Sequence, residues 1–157
     1  MHDRASLHDH AWIAAHIPHQ GSMCLLEQVL SWDVQNIVCC STSHRAAGNP
    51  LRAHGRLGAA CAIDYAAQAI ALHGALLRPA RDARTGFGLL ASAREVELFV
   101  SRLDDIEQDL RVSAQRLHSD AGGALYSFAL HERDCLLARG RASLLLNATP
   151  APMTGPR

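Results

Sequence analysis

LGAACAIDYAAQAIALHGALL, residues 57–77, carries only one charged side chain, Asp64, in a run of 21 residues. Alanine and leucine favour the α-helix, and Pro79 marks the point where such a helix must stop. A helix that is apolar nearly all round is normally buried. Asp64 and Gln68 lie four residues apart and therefore share one face of this helix. An acid and an amide on a buried helix need a structural or a chemical reason.

The alternative of a membrane span is disfavoured by the composition of the same run. Its length is sufficient, but alanine dominates, and an aspartate near the middle costs about 2.5–3.5 kcal/mol on insertion scales. The first ten residues, MHDRASLHDH, lack the apolar core of a signal peptide. The chain has five cysteines, an odd number, and no two of them have the CxxC spacing. This pattern predicts reduced, buried thiols. We therefore expect a cytoplasmic protein without a membrane span.

The bulk composition bounds the possible functions. A chain of 157 residues fits one domain, and a net charge of zero gives no reason to expect nucleic acid or an anionic membrane as a partner. The absence of lysine excludes Schiff-base chemistry on this chain. The ten histidines form no HExxH or comparable ligand pair, so neither a metal site nor a cofactor is expected.

The order of the predicted elements indicates the architecture. A short helix and two strands precede the long helix, and four strands follow it. The predicted bounds are 11–17 for the short helix and 24–32, 37–43, 85–100, 109–117, 124–131 and 136–146 for the strands. Alternation of apolar and polar residues in these strands is typical of a sheet with one wet face. Because a lone apolar helix cannot cover itself, we predict an α+β hot-dog fold, an antiparallel sheet curled around one long central helix.

The same pattern divides the chain into three parts. Residues 1–10 are predicted to be a disordered N-terminal arm, residues 11–147 the hot-dog domain, and residues 148–157 a disordered, proline-containing tail. The polar loop from His44 to Arg56 leads directly into the long helix. A loop of this length in front of a buried helix is often functional.

Two short motifs resemble a known enzyme family. Ile17-Pro18-His19 followed by LLEQVL at residues 25–30 is similar to the PHR…LLVDRVL opening of the β-hydroxyacyl-ACP dehydratases of fatty-acid synthesis, and DYAAQ at residues 64–68 resembles their central-helix motif. The likeness covers residues 15–146. NPLRAHGRL at residues 49–57 brings the chain closer to the dehydratase-like hot-dog proteins of aryl-polyene and xanthomonadin-type pigment clusters.

One departure from the family pattern concerns the catalytic base. In the fatty-acid dehydratases a loop histidine stands fourteen positions before the helix acid, and the corresponding position here is Pro50. His54 lies ten positions before Asp64, and His44 lies twenty before it. Either histidine is a candidate for the base, His54 before His44, unless this branch has lost the base.

Dehydration of a 3-hydroxyacyl thioester, which the resemblance implies, needs a base at C2, an acid for the leaving hydroxyl and a donor for the thioester oxygen. Histidine suits the base. Burial on the helix would raise the pKa of Asp64 and let it serve as the acid. Backbone N–H groups between Gly55 and Gly58 would polarise the carbonyl. The expected catalytic residues are thus Asp64 and His54, and the expected substrate contacts are Gly55, Leu57, Gly58 and Gln68.

Two other functions are compatible with the same residues. In an acyl-thioester hydrolase the helix carboxylate would activate water and no histidine base would be required. In a non-catalytic subunit, the chain would pair with an active dehydratase and shape its tunnel. The resemblance implies an acyl-ACP or acyl-CoA substrate, and a homodimer or a heterodimer with another hot-dog protein.

Overall fold

One antiparallel sheet and one long helix form the framework of the protein. The computed structural model describes residues 8–18, 21–78 and 89–145. The helices are α1 (His10–His16) and α2 (Ala62–Leu77), and the strands are β1 (Gln28–Trp32), β2 (Asn36–Ser41), β3 (Leu89–Leu98), β4 (Leu110–Ser119), β5 (Gly123–Glu132) and β6 (Cys135–Leu145). The strand order is β1-β2-β4-β5-β6-β3, with every pair antiparallel. The predicted α+β hot-dog fold is confirmed.

Helix α2 packs against β2, β4 and β5 with one side only. A 3-10 turn, Ala59–Cys61, precedes it, so the helical run begins two residues later than predicted and ends at the predicted Leu77. The buried side includes Tyr65, Ala69 and Leu72. The other side, which contains Ala60, Asp64, Ala67 and Ala71, is exposed or half-buried. The expectation that the helix is buried all round is wrong for the single chain, because the sheet curls around only one of its faces.

The apolar character of this helix has a second consequence. By length and composition alone, Ala59–Leu77 could cross a membrane. This is weak evidence for a span, because a core helix packed on a sheet passes the same test.

The inner face of the sheet follows the predicted alternation in three strands. Buried side chains occur at every second position, namely Leu110, Val112 and Ala114 in β4, Tyr126, Phe128 and Leu130 in β5, and Ala138, Ala142 and Leu144 in β6. Gly140 interrupts this series because a Cβ there would lie 2.8 Å from Cζ of Phe128. The glycine therefore leaves room for the Phe128 ring on the neighbouring strand.

At the end of strand β3 the sequence alternates Val96, Leu98 and Val100 against Glu95 and Glu97, which predicts that the three apolar residues face the core. Val96 and Val100 do pack against the core, whereas Leu98 does not. A bulge between Arg94 and Glu97 shifts the register, and Glu95 takes a positive φ of 53°. As a result Leu98 is 42% exposed. Since β3 is last in the strand order, its outer edge has no neighbouring strand among the described residues. Sequence alternation cannot reveal a bulge, because one inserted residue reverses the facing of all that follow.

Strand β1 begins at Gln28, four residues later than predicted. In the preceding segment Glu27 N–H still donates to Cys40 O of β2 at 2.9 Å, but the backbone of Leu25 is bonded to side chains instead of to a neighbouring strand. The N–H of Leu25 donates to Oε1 of Gln68 at 2.9 Å, and its carbonyl accepts from the hydroxyls of Ser41 and Ser43 at 2.5 and 2.7 Å. These contacts replace the ladder that the apolar pattern predicted.

The predicted N-terminal arm must be shortened. The carbonyl of His8 accepts from Val29 N–H at 3.0 Å, and the Asp9 carboxylate caps α1 by accepting from Trp12 N–H at 2.9 Å. Residues 8–10 therefore belong to the domain. The predictions for residues 1–7, His19, Thr85–Gly88 and the tail 148–157 lie outside the described residues.

All five cysteines carry free thiols. Burial raises the pKa of the Cys39 thiol to about 12, which makes this thiol a poor nucleophile. Cys135, however, is exposed, so the expectation that all five are buried is wrong at that position.

Candidate functional site

A tight turn presents His54 and Gly55 to solvent. Ala53 and Arg56 are joined by two backbone hydrogen bonds, of 2.9 and 3.1 Å. The two central residues, His54 and Gly55, have positive φ values of 53° and 75°. Glycine adopts this conformation readily, whereas it costs a residue such as histidine about 1–2 kcal/mol. The imidazole of His54 is therefore held at the tip of a turn and is exposed.

The N–H of Gly58 has no hydrogen-bond partner in the part of the chain that the structure describes. Its neighbours are all bonded: Leu57 N–H donates to Asp104 Oδ1 at 2.9 Å, and Ala59 N–H donates to Ser101 O at 3.1 Å. Gly58 itself is half-buried. It stands at the start of the helical run, where the macrodipole favours negative charge. Among the backbone donors predicted between Gly55 and Gly58, this one is the best placed to stabilise an oxyanion.

The carboxyl group of Asp64 is exposed and lies in the first turn of α2. It is six residues from Gly58, or about 9 Å along a helix axis. The burial on which its expected role as a protonated acid rested is absent in the single chain. Asp64 shares its exposed face with the small residues Ala60, Ala67 and Ala71. A second protein could therefore pack closely against this face and bury the carboxyl group.

A cavity of about 200 Å³ lies farther along α2, between its C-terminal half and the sheet. Ala71 and Gly74 border it from the helix, and Tyr126 and Leu144 border it from the sheet. Since Ala71 is on the same face as Asp64, the cavity continues the exposed side of the helix. Its lining is suited to an apolar chain.

His44, the second candidate for the base, is completely buried. Its Nε2 lies 3.0 Å from the carbonyl oxygen of Ile106, and its Nδ1 has no hydrogen-bond partner among the described residues. Desolvation lowers the pKa of the imidazole. A substrate on the exposed face of α2 cannot reach this ring. The alternative assignment of the base to His44 is therefore wrong in this chain.

Two of the predicted substrate contacts are structural residues. Gln68 is 1% exposed, and its amide is occupied: Oε1 accepts from Leu25 N–H at 2.9 Å and Nε2 donates to Met23 O at 2.5 Å. Leu57 is fully buried in the core. Neither side chain is available to a ligand. Residues four apart lie on neighbouring parts of a helix surface, yet Asp64 is exposed and Gln68 is buried. Their spacing alone could not show that the boundary between solvent and core runs between them.

A hydrogen-bond network around Tyr65 was not predicted. The Tyr65 hydroxyl lies 2.8 Å from Ser43 Oγ and accepts from Asn49 Nδ2 at 3.2 Å. Asn49 also donates to Ser43 O at 2.9 Å and accepts from Leu51 N–H at 2.9 Å. The network ties the loop before α2 to the helix. The sequence feature that could have indicated this network is the tyrosine next to Asp64, because a buried phenol hydroxyl normally has a hydrogen-bond partner.

The buried histidines predict how stability depends on pH. His44 and His73 are both fully buried, and desolvation lowers the pKa of each. Both ring nitrogens of His73 are hydrogen-bonded, to Tyr126 Oη and Asp33 O, each at 2.7 Å. In the unfolded chain both rings take up protons below about pH 6.5. Stability should therefore fall as the pH drops from 6.5, by up to about 1.4 kcal/mol per pH unit for each histidine.

Urea unfolding at pH 7.5, 6.5 and 5.5 measures this dependence. Replacement of His73 by Gln should remove about half of the slope, whereas replacement of His118, whose side chain is 69% exposed, should leave the slope unchanged. Equal stability at the three pH values would contradict the assignment of neutral, buried rings.

No group of three or more histidine, cysteine, aspartate or glutamate side chains within the described ranges could hold a metal ion. The accessible groups near the start of the helical run are the imidazole of His54, the carboxyl group of Asp64 and the N–H of Gly58. Such a set can exchange protons with a ligand and stabilise an oxyanion.

Comparison with solved structures agrees with the fold. The dehydratase heterocomplex ApeI:P from Xenorhabdus doucetiae aligns with a TM-score of 0.74 and 24% identity, covering 85% of this chain and 90% of that one. Zebra fish thioesterase superfamily member 2 aligns with a TM-score of 0.60 and 18% identity over 85% and 92% of the two chains. Escherichia coli PaaI, from the phenylacetic acid degradation operon, gives 0.55 and 14% over 74% and 80%. At these identities the similarity establishes the fold alone.

Comparison with sequence families gives the family. No curated protein matches the sequence at a significant level. The model of the ApeP-like family, described as ApeP dehydratase, matches residues 11–153, which is nearly the whole chain. The protein therefore belongs to the ApeP-like dehydratase family.

Proposed function

We propose that the protein dehydrates a 3-hydroxyacyl thioester, carried on acyl carrier protein, to the trans-2-enoyl thioester. One observation supports this proposal most directly. The exposed carboxyl group of Asp64 and the N–H of Gly58, which has no partner among the described residues, both lie at the start of the same helical run. The family supports the reaction class. The sequence motifs shared with pigment-cluster proteins favour a polyene precursor as the substrate.

In the proposed reaction, His54 removes the proton from C2, and the electron pair moves to the thioester oxygen. The Gly58 N–H donates to this oxygen and stabilises its negative charge. The enolate then expels the C3 hydroxyl, which takes a proton from Asp64 and leaves as water while the C2–C3 double bond forms. A proton passes from His54 back to Asp64 through solvent and restores both groups.

The acid role requires Asp64 to be protonated when the substrate binds. Because the carboxyl group is exposed in the single chain, we propose that a second hot-dog subunit covers it and supplies the necessary desolvation. Two features support such an arrangement: the small residues around Asp64, and the edge of β3 that lacks a neighbouring strand among the described residues. The ApeI:P structure is a heterocomplex, which favours a partner that is a different hot-dog chain.

Two other functions remain as alternatives. A thioester hydrolase would use Asp64 as a carboxylate that activates water, which suits its exposure. A non-catalytic subunit would explain why Pro50 stands where the fatty-acid dehydratases carry histidine. Incubation with 3-hydroxyacyl-ACP and with saturated acyl-ACP separates these functions. With the hot-dog partner present, a dehydratase forms the enoyl product without thiol, and a hydrolase releases free thiol from both substrates. For a supporting subunit, enoyl formation by the complex is unchanged when Asp64 is replaced by Asn.

The His54→Asn variant tests the proposed base. Asparagine tolerates the positive φ at this position, so the turn should be preserved while the base is lost. We expect kcat for enoyl formation to fall about 100-fold or more, as is usual when a general base is removed. The matched control is His118→Asn, at an exposed position on β4. Full activity of the His54 variant would assign the base to another residue or to the partner subunit.

A further inference from the structure

A nearly buried carboxylate, Asp104, lies beside the start of the helical run, and the proposed reaction does not use it directly. Its side chain is 6% exposed. Oδ1 accepts from Leu57 N–H at 2.9 Å and from Arg102 Nε at 3.0 Å, and Arg102 also pairs with Oδ2. The Arg102 hydrogen bonds hold the pKa of Asp104 well below its usual range. The group is therefore a permanent carboxylate and does not transfer protons.

The contacts around Leu57 fix the direction of the Gly58 N–H. Leu103 N–H donates to the Leu57 carbonyl at 2.8 Å. The C=O and N–H of a planar trans peptide point in opposite directions. Because the Leu57 carbonyl points toward residue 103, the N–H of the same peptide group, which belongs to Gly58, must point away from it. Asp104 fixes the preceding peptide group through the Leu57 N–H.

Arg52 connects this anchor to the turn that carries His54. Its Nη1 lies 3.9 Å from Asp104 Oδ2 and 3.5 Å from Gly55 O, and its Nη2 donates to Arg45 O at 3.3 Å. One carboxylate therefore supports both the backbone donor and the loop with the imidazole. Loss of the carboxylate would loosen both.

We propose that Asp104 is a positioning residue. It holds the peptide group that precedes Leu57 and so, together with the Leu103 N–H on the Leu57 carbonyl, keeps the Gly58 N–H directed at the thioester oxygen. This inference rests on the proposed function, because that function makes the Gly58 N–H the oxyanion donor. A group held in this way needs no reorganisation during the reaction, and a displacement of about 1 Å can cost 100-fold in rate.

Substitutions at residue 104 separate positioning from simple structural support. In Asp104→Ala, kcat for enoyl formation should fall about 10- to 100-fold, with KM changed less than about twofold. Asp104→Asn keeps an oxygen acceptor for Leu57 N–H and should recover most of kcat. Asp104→Glu, which displaces the carboxylate by one methylene, is the second disruptive variant if the alanine variant does not fold. Asp134→Ala is the control, because this exposed carboxylate lies in the turn between β5 and β6, away from the anchor.

Amide hydrogen exchange over residues 57–61 provides a readout that does not depend on activity. Exchange should be faster in Asp104→Ala and Asp104→Glu than in the wild type, and near the wild-type rate in Asp104→Asn. Unchanged exchange, or unchanged kcat in the presence of faster exchange, would overturn the inference. A wild type that is inactive both alone and with a hot-dog partner contradicts the proposed function instead, so the two failures are distinguishable.

Discussion

Replacement of Asp64 by Asn should lower kcat for 3-hydroxyacyl-ACP dehydration at least about 100-fold, which corresponds to about 3 kcal/mol of transition-state stabilisation. The carboxamide is close in shape to the carboxyl group but cannot give up a proton to the leaving hydroxyl. Because the side chain is exposed in the single chain, the free energy of unfolding should change by less than about 0.5 kcal/mol. The measurement is enoyl formation with the partner subunit present, next to urea unfolding of the same preparation.

The matched control for this variant is Asp134→Asn, in the exposed turn between β5 and β6. It removes the same charge far from the helix and should keep full activity. Full activity of the Asp64 variant would remove this carboxyl group from the mechanism. A wild type that releases thiol from saturated acyl-ACP without forming enoyl product, and that loses this release in Asp64→Asn, would instead favour the hydrolase.

Exposure of Asp64 also predicts how the proposed hot-dog partner would respond to a mutation of this residue. If a partner buries the carboxyl group, its mutation to Asn removes the cost of desolvating a charge and should not weaken the complex. The catalytic loss and the affinity for the partner would then be independent. This distinguishes a catalytic carboxyl group from one whose only purpose is to bind the neighbouring subunit.

The fold could be predicted from the sequence because its two periodicities are strong. The run at residues 57–77 is unambiguous as a helix, and the alternation in β4, β5 and β6 places their inward residues correctly. In β3 the alternation placed Val96 correctly and Leu98 wrongly. The bulge near Glu95 is a local backbone event with no compositional signature. Strand β1 was predicted too long because apolar residues alone do not show that Gln68 binds their backbone.

The site was less predictable than the fold. Asp64, His54 and Gly58 were predicted from their places near the start of a conspicuous helix. All three are at least partly accessible, and their roles stay predictions. His44 was proposed from sequence distance alone, which carries no information about burial. Asp104 was missed because it is forty residues from Asp64 and belongs to no motif. Only the folded chain brings its carboxylate to Leu57.

The second large effect is expected at Gln68, which joins α2 to the segment before β1. Gln68→Leu would leave the buried N–H of Leu25 without an acceptor and the carbonyl of Met23 without its donor. Each unsatisfied buried group costs about 1–3 kcal/mol, so we expect a loss of about 2–4 kcal/mol in the free energy of unfolding. For a domain of this size the melting temperature should fall by about 5–15 °C. Thermal unfolding at one fixed protein concentration measures this loss.

Gln68→Glu tests whether both halves of the amide matter. A glutamate can still accept from Leu25 N–H, but it can donate to Met23 O only when protonated, so burial and this hydrogen bond should raise its pKa in the folded state. When the pKa of a group is higher in the folded than in the unfolded state, its protonated form stabilises the fold. This stabilisation is complete below the unfolded pKa of about 4.3 and is lost as the pH rises through the folded pKa. The variant should therefore lose stability, relative to the wild type, as the pH is raised. Gln115→Glu, on an exposed position of β4, should show no such dependence, and the same behaviour in both variants would mean that the Met23 hydrogen bond contributes nothing.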